Sequence, residues 1–362
     1  MTETLTAMCA VPTAPFAEQR VIDFITEWAK PRKKIKLSRD RFGNVLLELK
    51  SRARSPRTVM VAHVDHPGFV ARAMTDKNTL QAKFYGTVYA PFFVGSKVRF
   101  FDHTDEITGV ITHVKTDDRK RPVEATLKVK TPVATGSPGM WDVGVPSVKG
   151  KLFHSRCCDD LAGCAAALSA LDVLLRSNVN VNAAVLFSRA EEEGFIGSIG
   201  AAMEAKLLRK TDRLISIETS AEQPYAKQGD GVVIRVGDRT SIFHSAFTQF
   251  IQRRAEAIVS TDKTFKHQRA LMPGGTCEAT AFDAFGYVTA AVCVPLGNYH
   301  NMKPATKTQA QKIAAEFIHL DDWHHMVTLL ADVCAHGPTF TGTHTDLREK
   351  LTQLFNTRKD LL

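Results

Sequence analysis

The sequence predicts an α/β fold, a mixed and largely parallel sheet flanked by helices, with a small all-β domain inserted into it. Beyond residue 150, apolar runs of strand length alternate with amphipathic stretches of helical period, which is the rhythm of βαβ units. Between residues 67 and 150 the texture changes to short alternating segments separated by Asp-Asp and Gly/Pro turns, and no helical stretch is found. The length, 362 residues, suits two domains or one large domain carrying an insertion. The expected division is therefore residues 1–66 and 151–362 in the α/β domain and 67–150 in the β domain.

The elements follow in order. Phe16, Val21, Phe24, Ile25 and Trp28 recur at helical spacing until Pro31 stops them. Val45–Leu49, after the Gly43-Asn44 turn, and Thr58–Ala62, bounded by Pro56 and His63, read as strands, the second fully buried. Val98–Phe101, Val110–Val114 and Ala125–Val129 are the clearest strands of the insertion. Then come a strong helix over Leu161–Arg176, a strand over Asn182–Phe187, a helix over Ser198–Leu208 and strands over Leu214–Ile217 and Val288–Val294. A helix is expected through Ala310–Ala335, and Leu347, Leu351, Leu354 and Phe355 suggest a last amphipathic one.

Composition narrows the function classes. Hydrophobic residues make up 44% and charged residues 23%, with 22 Gly and 15 Pro, which is globular and excludes collagenous and disordered chains. Runs such as Ala183–Phe187 and Val288–Val294 are far short of the roughly 20 apolar residues of a membrane helix. The amino terminus carries Glu3 and no basic leader before an apolar stretch, so a cytoplasmic protein is expected. Seven Cys at irregular spacing, without a CxxC pair, read as free thiols. The net charge of +9 invites nucleic acid, but the one dense run, Lys30, Arg32, Lys33, Lys34 and Lys36, lacks interleaved aromatics. It reads as a solvated connection, and neither nucleic acid nor membrane is an expected partner.

The chemistry collects where open α/β sheets place their ligands, after the strands' carboxyl ends. Thr58–Ala62 is followed by His63 and Asp65, Asn182–Phe187 by Glu191, Glu192 and Glu193, Leu214–Ile217 by Glu218, and Val288–Val294 by His300; Asp159-Asp160 precedes a helix. Singly these are surface residues, an N-cap or a solvated acidic turn. Together, two His and several carboxylates form a mixed N/O set suited to zinc, cobalt or manganese. Divalent cations would relieve the repulsion among adjacent acids.

Ala62-His63-Val64-Asp65-His66-Pro67-Gly68, Asp159-Asp160-Leu161-Ala162-Gly163, Glu191-Glu192-Glu193-Gly194-Phe195-Ile196-Gly197, Ile217-Glu218-Thr219, Gly275-Thr276 and Tyr299-His300-Asn301 occur in that order. The ordered set resembles metallopeptidase family 42, the glutamyl and tetrahedral aminopeptidases whose members are often labelled endoglucanases. The resemblance runs from about Ala14 to Ala335. It implies a zinc-peptidase-like fold and two divalent ions per chain, zinc first, with cobalt or manganese as alternatives. His63, Asp159, Glu192, Glu218 and His300 would be the metal ligands, with Asp159 bridging. Glu191 would be the general base, and Asp65 would orient His63. The same resemblance implies a homo-oligomer, from dimer to tetrahedral dodecamer, and the β insertion is assigned to that self-association rather than to catalysis. Four positions depart from the pattern: Glu218 stands where the family usually has Asp, His66 replaces a usual Glu, Leu161 a usual Arg, and Cys277 stands where members often have Asp. Cys277 lacks a cysteine-protease context and reads as a buried thiol.

Two cations polarise a scissile carbonyl and acidify a water, and a carboxylate such as Glu191 can then carry the proton to the departing amine. The leading reading is an aminopeptidase acting on short peptides. The rivals are a metal-dependent deacylase or amidase of small N-acyl substrates on the same scaffold, and a catalytically silent binding protein. An aminopeptidase must hold a free α-ammonium, and Glu193, Glu222 and Glu278 are the candidates. Glu278, beside Gly274-Gly275-Thr276, either meets that ammonium or caps the following helix.

Overall fold

A computed structural model describes residues 1–362 except 104, 178, 205, 344 and 360–362. The chain opens with helices α1 (Thr2–Ala10) and α2 (Gln19–Ala29), followed by strands β1 (Ile35–Arg39), β2 (Val45–Leu49) and β3 (Thr58–His63). Every residue of β3 is buried, as a strand covered by helices on both sides requires. Next come β4 (Gly68–Asp76), β5 (Thr79–Tyr85), β6 (Lys97–Asp102), β7 (Asp105–Thr116), β8 (Pro122–Val129) and β9 (Pro138–Trp141). These six close into a barrel in the order β4-β5-β8-β7-β6-β9. Its interior holds Phe69, Phe84, Phe93, Phe100 and Trp141. Phe69 and Trp141 meet edge to face with centroids 4.9 Å apart, a geometry worth about 0.5–1.5 kcal/mol beyond the buried area.

The chain then returns through β10 (Ser147–Lys149) and β11 (Leu152–Ser155) to the long helix α3 (Leu161–Ser177). After it come β12 (Ala183–Ser188), α4 (Ile196–Glu204), β13 (Arg213–Ala221), β14 (Val232–Gly237), α5 (Ser245–Thr261), β15 (His267–Leu271), α6 (Glu278–Ala284) and β16 (Val288–Gly297). The short pair β17 (Met302–Lys303) and β18 (Lys312–Ile313), β19 (Glu316–His319), α7 (Leu320–His336) and α8 (Thr345–Arg358) complete the chain.

The main sheet runs β1-β2-β12-β3-β13-β16-β19-β11-β10, with β14 and β15 attached beside β16. Its centre, β12-β3-β13-β16, is parallel throughout, and the flanking pairs are antiparallel. This is the mixed, largely parallel α/β sheet with a small β unit that the sequence predicts. In register, Ser188 lies opposite His63, Cys293 opposite Glu218 and Ser216 opposite Val61, so His63 and Glu218 come to one level toward the carboxyl ends of the parallel strands. The Ala-rich α3 is buried over most of its length against this sheet, and Trp323 of α7 locks it by donating its indole N–H to the Ala162 carbonyl at 2.8 Å.

Two elements differ from the sequence reading. The helix expected from Ala310 starts at Leu320, because 312–319 is extended and β19 pairs with both β11 and β16. Sheet pairing overrides the local pattern there. The amino-terminal segment, left unassigned, forms α1 and buries Leu5, Met8 and Cys9. Among the described residues no helix is long and apolar enough to cross a membrane.

Candidate metal centre

The carboxyl ends of the parallel strands and two strained turns bring five predicted ligands together. His63 closes β3 and is buried, and Glu218 lies in the buried stretch of β13. Glu191 and Glu192 sit on a single turn of 3₁₀ helix after β12, entered through Ala190 (φ 52°) and left through Gly194 (φ 97°). His300 lies in a turn where Asn298, His300 and Asn301 have φ of 54°, 53° and 62°. Left-handed conformations at non-glycine residues cost energy, and they cluster where a side chain must be aimed.

Asp159 stands in the middle. Its Oδ1 is 3.4 Å from His63 Nε2, and its Oδ2 is 3.5 Å from His300 Nε2. Glu192 Oε1 lies 3.3 Å from His300 Nε2, and Glu191 Oε2 lies 3.9 Å from His63 Nε2. Three sets of donor atoms each fall within 4.8 Å of one another: His63, Asp159 and Glu218; Asp159, Glu192 and His300; and His63, Glu191 and Glu192.

Asp65 is wholly buried and ties two parts of the site. Its carboxylate accepts the backbone N–H groups of Glu191 (3.0 Å) and Glu192 (3.1 Å), and its carbonyl lies 3.2 Å from His63 Nδ1. Glu18, also buried, accepts from the Ala190 N–H and from the Arg189 guanidinium, bracing the same turn. Neither the role of Glu18 nor that of Glu316 was found in the sequence. Glu316 Oε2 accepts the N–H groups of Cys158 (2.7 Å) and Asp159 (3.1 Å), fixing the backbone that presents Asp159. The Asp159 carbonyl faces His66 Nδ1 at 2.5 Å, and His66 Nε2 faces the Asn301 side-chain oxygen at 2.9 Å. The one available signal for Glu316 was an acid between apolar Phe317 and Ala315, hidden by the helical reading of that stretch.

The donor set fits divalent cations. Buried Asp159 Oδ1 and Glu192 Oε1 have no hydrogen-bond partner among the described residues. At an effective dielectric near 20, two carboxylates 4 Å apart repel by about 4 kcal/mol, so this cluster needs protons or cations. Burial pushes the Glu191 carboxyl well above its usual range, with Glu218 and Glu192 adding to it against His63. Burial likewise lifts Glu218 to about 8. Asp159 is held low, because His300 and His63, at 3.5 and 3.4 Å, favour its charged form more than burial opposes it. Burial disfavours protonated His63 and His300, yet the acids around them raise both well above the ordinary value. Protons therefore balance the cluster where cations would.

Glu278 is placed elsewhere than expected. It is wholly buried beneath the end of β12, where the hydroxyls of Ser188 and Ser198 donate to its Oε1. Its Oε2 has no hydrogen-bond partner among the described residues, and it belongs to none of the three donor sets. Glu222 accepts the Gln228 N–H, and Glu193 accepts the Gly86 N–H of the barrel at 2.7 Å. Cys277 is a buried thiol.

A family model described as M42 glutamyl aminopeptidase matches residues 43–317. A candidate aminopeptidase of Acetivibrio thermocellus is 23% identical over 280 residues, 72% of this chain and 80% of its own. Among solved structures, the TET1 peptidase of Pyrococcus horikoshii is 21% identical with a TM-score of 0.74, covering 92% of this chain and 98% of its own. A TET aminopeptidase from a marine sediment Thaumarchaeota archaeon is 16% identical with a TM-score of 0.78, covering 94% and 99%. These likenesses carry the fold, and the family match spans most of the chain and every motif of the metal centre. The chain belongs to the M42 glutamyl aminopeptidase family, and it is a hydrolase of the aminopeptidase class.

Proposed function

We propose that this protein removes amino-terminal residues from short peptides with the help of two divalent cations. His63, Asp159 and Glu218 hold one and Asp159, Glu192 and His300 the other, with zinc the expected ion and cobalt or manganese compatible with the same donors. The observation that carries the reading is Asp159, a single carboxylate whose two oxygens face two different histidines. Bound there, the cations supply Lewis-acid polarisation of the scissile carbonyl and lower the pKa of a water.

The chain's own residues do the rest. Glu191 shares a donor set with His63 and Glu192, and it belongs to the same tight turn as Glu192. It takes the proton of the attacking water and returns it to the departing amine. Asp65 keeps Glu191, Glu192 and His63 in register through the three contacts described above. Glu316 and His66 hold the backbone N–H and carbonyl of Asp159.

Cleavage at the amino terminus is supported by the family's aminopeptidase description. The P. horikoshii relative assembles into a tetrahedron or a large octahedral shell, which supports self-association of this chain, with the 67–150 insertion as its carrier. The deciding experiment reconstitutes the protein with metal and compares aminoacyl reporter substrates with N-acyl amino acids. Turnover of the free-amine series with two ions per chain is expected. Preference for N-acyl substrates would make the protein a deacylase, and a stoichiometry that never exceeds one would end the dinuclear reading.

A further inference from the structure

We propose that the barrel is part of the metal centre: its turn after β5, at Gly86 and Thr87, orients His300 and is latched in place by Glu193. The inference rests on His300 as a metal ligand. His300 sits in a single 3₁₀ turn, Tyr299–Asn301, with its own backbone left-handed, so its ring must be aimed by contacts. Tyr299 stacks on it with centroids 3.7 Å apart, and the Thr87 carbonyl lies 2.7 Å from its Nδ1. A carbonyl oxygen only accepts, so Nδ1 carries the hydrogen. With Nδ1 holding its hydrogen, Nε2, the nitrogen facing Asp159 and Glu192, is the one that gives up its proton and offers a lone pair when a cation replaces that proton, the tautomer a metal ligand requires.

The comparison with His63 isolates what is unusual. His63 Nδ1 is satisfied from within its own domain, by the carbonyl of Asp65 two residues on. His300 depends on a carbonyl 213 positions away in sequence, on the inserted barrel. Two observations explain why that carbonyl stays in place. Gly86 donates its N–H to Glu193 Oε1 at 2.7 Å, and Glu193 shares a turn with Glu191 and Glu192. Gly86 also has φ +94°, and a Cβ there would come within 2.8 Å of Pro67 Cβ and 2.9 Å of Pro67 Cα, at the junction between β3 and β4. The barrel turn is wedged between the domain junction and the acid turn. Glu193 is exposed and belongs to none of the donor sets, so this bond is the task the geometry gives it.

The test uses full-length protein, stripped of metal and reconstituted. Zinc affinity is read by competition with a chelator, the visible spectrum is read after loading cobalt(II), and the thermal midpoint of the metal-free form is recorded. Glu193→Ala and Gly86→Ala should each weaken one of the two sites by about 10–100-fold and shift the cobalt spectrum, with the other site unchanged. Glu193→Gln keeps the accepting oxygen and should retain both sites. Glu193→Ala should melt close to wild type, so it answers the question even where Gly86→Ala folds poorly. Wild-type affinity and spectrum in Glu193→Ala would overturn the latch, as would a Glu193→Gln variant as weak as the alanine. A wild-type protein that binds no second ion would overturn the assignment of His300 itself, and the latch with it.

Discussion

At the amino end of the central strands, Arg57 is almost fully buried, and its guanidinium grips Asp212 at 2.5 and 3.3 Å while a further nitrogen reaches Glu48. At the carboxyl end, Asp159, Glu191, Glu192 and Glu218 share a pocket in which, among the described residues, none lies within ion-pair distance of a Lys or Arg. The same sheet thus buries charge twice. One end is neutralised by its own side chains, and a pair of that kind is costly to break but does no chemistry. The other end is left acidic, so its balance comes from outside, as protons or as cations. The end paired by Arg57 is structural, and the end without a Lys or Arg partner is the one the proposed function uses.

The sharpest way to break this comparison is Asp159→Ala, which should drop the ion content below two per chain and reduce turnover to background, read by elemental analysis beside an aminoacyl reporter assay. If both ions stay, the bridge is elsewhere. Glu191→Gln should keep both ions and lose about 10²–10⁴-fold in kcat, whereas Glu192→Gln should lose one ion. Because Glu191→Gln also removes a crowded charge, its metal-free form should be more stable than wild type by chemical denaturation.

The opposite end should behave in the opposite sense. Arg57→Ala leaves Asp212 buried and unpaired and should cost about 3–5 kcal/mol, with ion content unchanged in whatever folds. A loss of metal in that variant at full stability would mean the two ends are not separable.

The smallest effect is on pH. Glu218 has its folded pKa raised from 4.5 to about 8, so its contribution to metal-free stability is complete below pH 4.5 and is lost as the pH rises through 8. Raised His63 and His300 act in the same direction, and Asp159, held low, acts in the other, below pH 4. Denaturation midpoints of the metal-free protein should therefore fall from pH 5 to 8.5, and Glu218→Gln should flatten the slope. A midpoint that rises over this range would mean the pocket is not held by protons.

Much of the centre was legible in the sequence, for a positional reason. A residue just past a fully buried strand must emerge at the sheet's carboxyl edge, and parallel strands emerge together, so His63 and Glu218 could be placed near each other without coordinates. Glu278 was singled out because Gly274-Gly275-Thr276 allows close backbone approach beside it, and its surroundings were not legible in the sequence. Only the packing of α6 against α4, β13 and β16 brings it to Ser188 at the end of β12 and Ser198 of α4. Glu316 was hidden by a helical pattern over a stretch that sheet pairing makes extended.

By itself, then, the sequence determined the α/β class, the separate β texture of residues 67–150, and the residue types and order of the candidate ligands, because side-chain chemistry and hydrophobic period are local properties. The tertiary structure alone decided which acids meet which histidines, which acid is sealed away, and that a barrel carbonyl stands against His300. Such facts depend on the distance between segments far apart in the chain, and the group at Thr87 is a backbone oxygen, which every residue carries and no residue type announces.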